Sequence, residues 1–145
     1  MSPDDIPISF RSSPRGLRKR DLSDFLRRIA RGREVMCLLS DDGELRRLNR
    51  RFRGKNYATD VLSFPNGNGG EIAISLDRAA AQAREQGHAL ADEVRILMLH
   101  GVLHLKGFDH ETDSGEMARA ERRWRKRLGL PDGLIERTAR DGARR

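Results

Sequence analysis

Between Ala91 and Lys106 the apolar residues Val94, Ile96, Leu97, Met98, Leu99, Val102, Leu103 and Leu105 occupy nearly every side of a helix. A helix at a domain surface carries one apolar stripe, whereas one that is apolar all round has to be covered on all sides. In a chain of 145 residues this helix must sit at the centre, with the other elements built around it. The rest of the chain is polar. Charged residues make up 35% and hydrophobic residues 37%, so one modest core is expected under a heavily charged surface.

The flanking pattern is short and mixed. Ile6, Ile8 and Phe10 alternate as in a strand, and Leu22, Phe25, Leu26 and Ile29 recur at helical spacing. Glu34–Ser40 reads as a buried strand containing Cys37, a small core residue, and Asp41-Asp42-Gly43 reads as a turn. Leu45, Leu48 and Phe52 mark one side of a basic helix. Asp60–Phe64 reads as a strand stopped by Pro65, and Pro65–Gly70 as a loop. Ile72 and Ile74 alternate in a further strand, and a helix from Leu76 to Gln86 ends at Gly87. Asp113 and Glu116 form a capping pair for a last helix with Met117, Ala120, Trp124 and Leu128 inward and Gly129 at its end. The expected fold is a single α+β domain over 1–145, with about four strands, four to five helices and an Arg-rich tail frayed from about 135.

Twenty-nine Lys and Arg against 22 Asp and Glu give a net charge of +7, which favours polyanionic partners. No apolar stretch has the ~18 residues of a membrane span, and Met1-Ser2-Pro3-Asp4-Asp5 lacks a signal-peptide layout. A lone cysteine excludes an internal disulfide. The expectation is a cytoplasmic protein without a membrane partner.

Three of the four histidines lie in His100-Gly101-Val102-Leu103-His104-Leu105-Lys106-Gly107-Phe108-Asp109-His110. Positions i and i+4 share a helix face, so His100 and His104 aim at one point, and a turn at Gly107 can return His110 to it. Three imidazoles with a fourth position open to water make a catalytic zinc site, although imidazole also suits nickel, copper and iron. Metzincin proteases use the same spacing with a glutamate after the first histidine. Here that residue is Gly101, which argues against proteolysis. Asp109 is expected to orient an imidazole.

The stretch resembles the signature of the YbeY family, H-G-x-L-H-L-x-G-[YF]-D-H. Leu48-Asn49, Phe52-Arg53-Gly54, Thr59–Pro65 and Gly70-Glu71-Ile72 resemble the family's upstream block, with Glu71 in place of aspartate. Phe108 and Lys106 depart from the commoner tyrosine and apolar residue, and the loop from Pro65 to Gly70 is short. The resemblance implies an α+β fold with one zinc per chain on His100, His104 and His110, and cleavage of single-stranded RNA in maturation of the 16S rRNA 3′ end and ribosome quality control. Its RNA substrate would be rRNA in ribosomal particles. It assigns the catalytic arginine to Arg53, whose guanidinium fork suits bidentate phosphate contact. The nucleophile stays open between a water activated at the metal and the ribose 2′-hydroxyl.

Arg50, Arg51 and Lys55 around Phe52 are the expected substrate-binding residues, supplying affinity without sequence specificity, whereas Arg46 and Arg47 read as a solvated face. Arg122, Arg123, Arg125, Lys126 and Arg127 form a second cluster that reads equally as an RNA contact or as solvation of the last helix. Trp124 reads as core. Two other functions compete: a zinc hydrolase of another substrate such as a peptide, and a non-catalytic ribosome-assembly factor with structural zinc. Oligomeric state is not legible.

Overall fold

The long apolar helix takes the central place that its composition demands. In a computed structural model describing residues 7–10, 16–131, 134, 135 and 137, it runs Leu90–Leu105. The element order is β1 (Ile8–Phe10), α1 (Lys19–Ala30), β2 (Val35–Ser40), α2 (Asp42–Arg53), β3 (Val61–Asn66), β4 (Gly69–Ser75), α3 (Leu76–Gln86), α4 (Leu90–Leu105) and α5 (Glu116–Leu128). The sheet order is β1-β2-β4-β3. β1, β2 and β4 are parallel, and β3 returns antiparallel against β4. This is the expected α+β architecture, with four strands and five helices among the described residues. Ile6 lies outside them.

Strand alternation divides the core in two. Ile8, Val35, Cys37, Leu39, Ile72 and Ile74 join α1, α3, α4 and α5 in the main cluster, where burial pushes the Cys37 thiol up to about 12. Leu38, Leu62, Phe64 and Ala73 belong to a smaller cluster with Leu45 and Leu48 of α2. Adjacent strand residues thus serve opposite faces, as the period of two requires. On α5, Met117 and Ala120 are buried, while Trp124 and Leu128 are half-buried against the main cluster.

Two local expectations are corrected. Asp41-Asp42-Gly43 is not a free turn: the Asp41 carboxylate accepts from Glu44 N at 2.8 Å, and Asp42 and Gly43 already belong to α2. Pro65 does not stop β3. Pro65 pairs with Gly70 and Asn66 with Gly69, so the loop shrinks to a hairpin turn at Gly67-Asn68. β3 pairs with β4 alone, and an edge strand tolerates a proline that would break a central one. At α5 the expected pair, Asp113 and Glu116, does cap the helix start, around an N-cap at Gly115. The Asp113 carboxylate accepts from both Gly115 N and Met117 N, which holds its pKa below the usual carboxylate range. Glu116 accepts from Ser114 N.

Near the start of the Arg-rich tail, one described residue has a firm anchor. Arg137 is buried, and its guanidinium donates to both Glu93 oxygens at 3.2 and 3.0 Å. Glu93, in the first turn of α4, is fully buried and also lies 2.6 Å from His88 Nε2. A carboxylate at a helix N-terminus is favoured by the dipole, and here it anchors the returning chain. Residues 136 and 138–145 lie outside the described residues. Removing one partner of a buried pair strands the other charge, so Arg137→Met is expected to lower unfolding free energy by about 3 kcal/mol in urea denaturation. A loss below about 0.5 kcal/mol would show the segment to be a loose tail.

Candidate metal centre

The site is assembled from the end of α4. His100 and His104 lie one turn apart, and Gly107 (φ 98°) reverses the chain. Its N–H donates to the His104 carbonyl at 3.0 Å, and Phe108 N donates to the Leu103 carbonyl at 3.1 Å, closing the helix before His110 returns. One ring nitrogen from each of His100, His104 and His110 lies within 4.8 Å of the others. The ring centroids are 4.8 to 5.4 Å apart.

Hydrogen bonds behind the rings fix which nitrogen faces the cleft. His100 Nδ1 is 3.1 Å from the Glu121 carboxylate, and His104 Nδ1 is 3.0 Å from the Phe108 carbonyl. Those oxygens are acceptors, so each Nδ1 carries the proton and each Nε2 keeps its lone pair for a ligand. Burial, then the neighbouring His100 and His110, hold the His104 pKa below its ordinary value, against the opposing pull of the Phe108 carbonyl and Asp109. That ring is therefore neutral at neutral pH, the form that binds metal. The donor set fits a divalent ion of the zinc class.

The carboxylate behind one of the three histidines, His100, is Glu121, not Asp109 as expected. Asp109 instead accepts from Glu111 N at 3.1 Å and shapes the turn. Glu121 is 1% exposed, and its second oxygen accepts from Ile135 N at 2.9 Å. It was missed because it lies in a charged stretch of α5. The available signal was its position, one residue after buried Ala120 and four after Met117 on the inward face.

A cleft of about 580 Å³ opens over the three histidines, lined also by Arg53, Asp60, Ser63, Asp109 and Glu111. Arg53 reaches it from the end of α2. The buried Asn49 amide donates to the Tyr57 carbonyl at 3.0 Å, and Lys55 N donates to the Asn49 carbonyl, which ties down the loop after Arg53. Arg50, Arg51 and Lys55 are exposed and absent from the cleft lining. Arg51 lies over the Phe52 ring instead. Arg46 and Arg47 bond Asn56 and Glu44 on the solvent side.

Gly101 is explained by packing. A Cβ there would lie 3.0 and 3.1 Å from Ile72 carbons and 3.1 Å from Ser63 Oγ, which itself donates to the Gly101 carbonyl at 3.2 Å. A glutamate at this position would have to push Ile72 and Ser63 back by a few tenths of an ångström, so packing favours glycine where the metzincin pattern has its base.

Residues 18–129 match the family model described as Endoribonuclease YbeY. The chain belongs to the YbeY family. A relative in Solibacter usitatus, named Endoribonuclease YbeY, is 56% identical over 142 residues, covering 94% of this chain and 97% of its own. Another YbeY, from Koribacter versatilis, is 52% identical and covers 86% of this chain and 87% of its own. The solution structure of TM1509 from Thermotoga maritima superposes with a TM-score of 0.58 at 29% identity, covering 81% of this chain and 85% of that one. The YbeY chain described here is thus an endoribonuclease by family, with a three-histidine group able to hold a metal.

Glu121→Gln keeps the shape but removes the negative charge behind His100. It is expected to weaken metal binding about tenfold or more in competition with a chromophoric chelator, because partners of ligating histidines carry that much affinity. Asp109→Asn is expected to cost less. Equal losses from the two would remove the distinction drawn between them.

Proposed function

We propose that this chain is a zinc-dependent endoribonuclease that cuts single-stranded RNA in maturation of the 16S rRNA 3′ end and in ribosome quality control. In this reading it works in the cytoplasm on ribosomal particles. One observation carries the proposal: a cleft in a YbeY-family chain gathers three metal-competent histidines with one arginine from a distant helix. No described helix is long and apolar enough to cross a membrane.

His100, His104 and His110 are the proposed zinc ligands. Bound there, zinc supplies Lewis acidity and brings the pKa of water to about 7. The chain's own groups do the rest. Arg53 clamps the scissile phosphate and meets the negative charge that builds on its non-bridging oxygens. Asp60, Asp109 and Glu111 are the carboxylates in the cleft able to accept a proton. Ser63 also faces the cleft, where its hydroxyl donates to the Gly101 carbonyl. Arg50, Arg51 and Lys55 act at longer range by holding RNA phosphates outside the cleft.

About one zinc per chain is expected by elemental analysis, lost in His100→Ala and His104→Ala together with part of the folding stability, since the metal binds only the folded state. Single-stranded RNA should be cut by the loaded protein and spared after chelation, while unfolded protein substrates stay intact. Metal-dependent peptide cleavage beside untouched RNA would reverse the assignment.

Arg53→Ala should reduce the single-turnover cleavage rate more than RNA affinity, because charge on the phosphate is greatest in the transition state. Zinc content should not change, and Arg53→Lys should recover little, lacking the bidentate fork. Arg50→Ala should mainly weaken binding and flatten its salt dependence. Matching behaviour of Arg53→Ala and Arg50→Ala would reduce Arg53 to one more backbone contact.

A further inference from the structure

Four cations gather away from the histidines with no acid among them. Arg31, Lys106, Arg123, Arg127 and Trp124 line a second cleft of about 210 Å³. The guanidinium carbons of Arg31 and Arg127 lie 4.8 and 5.3 Å from the Trp124 ring centre, and Lys106 Nζ lies 5.3 Å from it. Lys106 Nζ is further fixed by donating to the Ile29 carbonyl at 2.8 Å. None of the four forms an ion pair among the described residues.

An ordinary solvated helix face spreads its charges and mixes their signs. Here three like charges are held over one indole, attracted by its electron-rich face while repelling one another. Arg31 is, moreover, the one described non-glycine residue with positive φ (49°), at the C-cap of α1 where glycine is the usual choice. Backbone strain and charge repulsion therefore coincide at one concave spot, and a bound anion relieves the second.

We propose that this cleft is a second binding site for the RNA phosphate backbone, continuous with the histidine cleft around the C-terminal end of α4. The assignment rests on the endoribonuclease reading. The two clefts share no lining residue, yet Lys106 lines one and its neighbour Gly107 the other. The two clefts thus meet the chain at adjacent residues at the C-terminal end of α4. The indole is already taken up by cations, so it arrays charge and does not stack bases. Recognition is of phosphates, without sequence preference. An acidic protein segment would meet the same charges, but the adjoining cleft already takes a polyanion of regularly repeated charge.

The test compares Arg31→Gln/Arg127→Gln with a control of equal charge loss, Arg20→Gln/Arg84→Gln, in the zinc-loaded full chain. All four residues are exposed, and none carries an ion pair among the described residues. Fluorescence anisotropy is read with a short single strand that fills only the histidine cleft and a longer one that extends past it. The cluster pair should bind the longer RNA about tenfold more weakly, with a log–log salt slope reduced by about 1.4 for two lost phosphate contacts. Binding and cleavage of the short strand and zinc content should hold. Equal weakening by the control pair overturns the site. Competition by orthophosphate or by a polyglutamate peptide as effective as competition by the longer RNA, at matched ionic strength, overturns the RNA assignment. If the unmutated protein cuts neither strand, the endoribonuclease reading falls, and the binding comparison still decides the cluster.

Discussion

The contact of Gly101 with Ile72 and Ser63 sets how closely the central helix lies on the sheet. His100 and His104 flank that contact on α4, so their height above β3 and β4 follows from it. A larger residue would have to displace the Ile72 and Ser63 side chains beneath two of the three proposed ligands. Ser63 adds a hydrogen bond to the Gly101 carbonyl at the same point while lining the cleft. One close approach thereby joins core packing to the placement of the chemistry.

Two buried carboxylates extend this arrangement to the end of the described chain. Glu93 opens α4 and holds His88 and Arg137, while Glu121 of α5 holds His100 on one oxygen and Ile135 N on the other. Burial of either charge is costly, and each is offset by donors from more than one segment. Ile135 is therefore tied to the same carboxylate that orients His100. Leu134, its neighbour, lines the histidine cleft.

Much of the fold was legible because its signals are local. The all-round apolar helix, the Leu76–Gln86 helix ending at Gly87 and the alternation around Ile72 each follow from short-range period and capping chemistry. The errors fell where partners decide. Pro65 reads as a stop, yet β3 is an edge strand with no second neighbour to need its missing N–H. Asp41-Asp42-Gly43 reads as a turn, yet the Asp41 side chain starts a helix. Nor does an Arg-rich stretch announce that Arg137 finds a buried carboxylate 44 positions away.

By itself the sequence determined the central helix, the common face of His100 and His104 and the glycine turn that lets His110 return, because helical geometry and backbone sterics act over a few residues. Family likeness in the upstream Phe52-Arg53-Gly54 block pointed to Arg53 without placing it. Only the tertiary structure decided that Arg53 enters the histidine cleft while Arg50, Arg51 and Lys55 do not line it. It likewise decided that Glu121 and not Asp109 backs His100, and that Arg31 joins Lys106 and Arg127 over Trp124. Those choices depend on the packing of helices far apart in the chain, and no local period or propensity encodes which side chains such packing brings within reach.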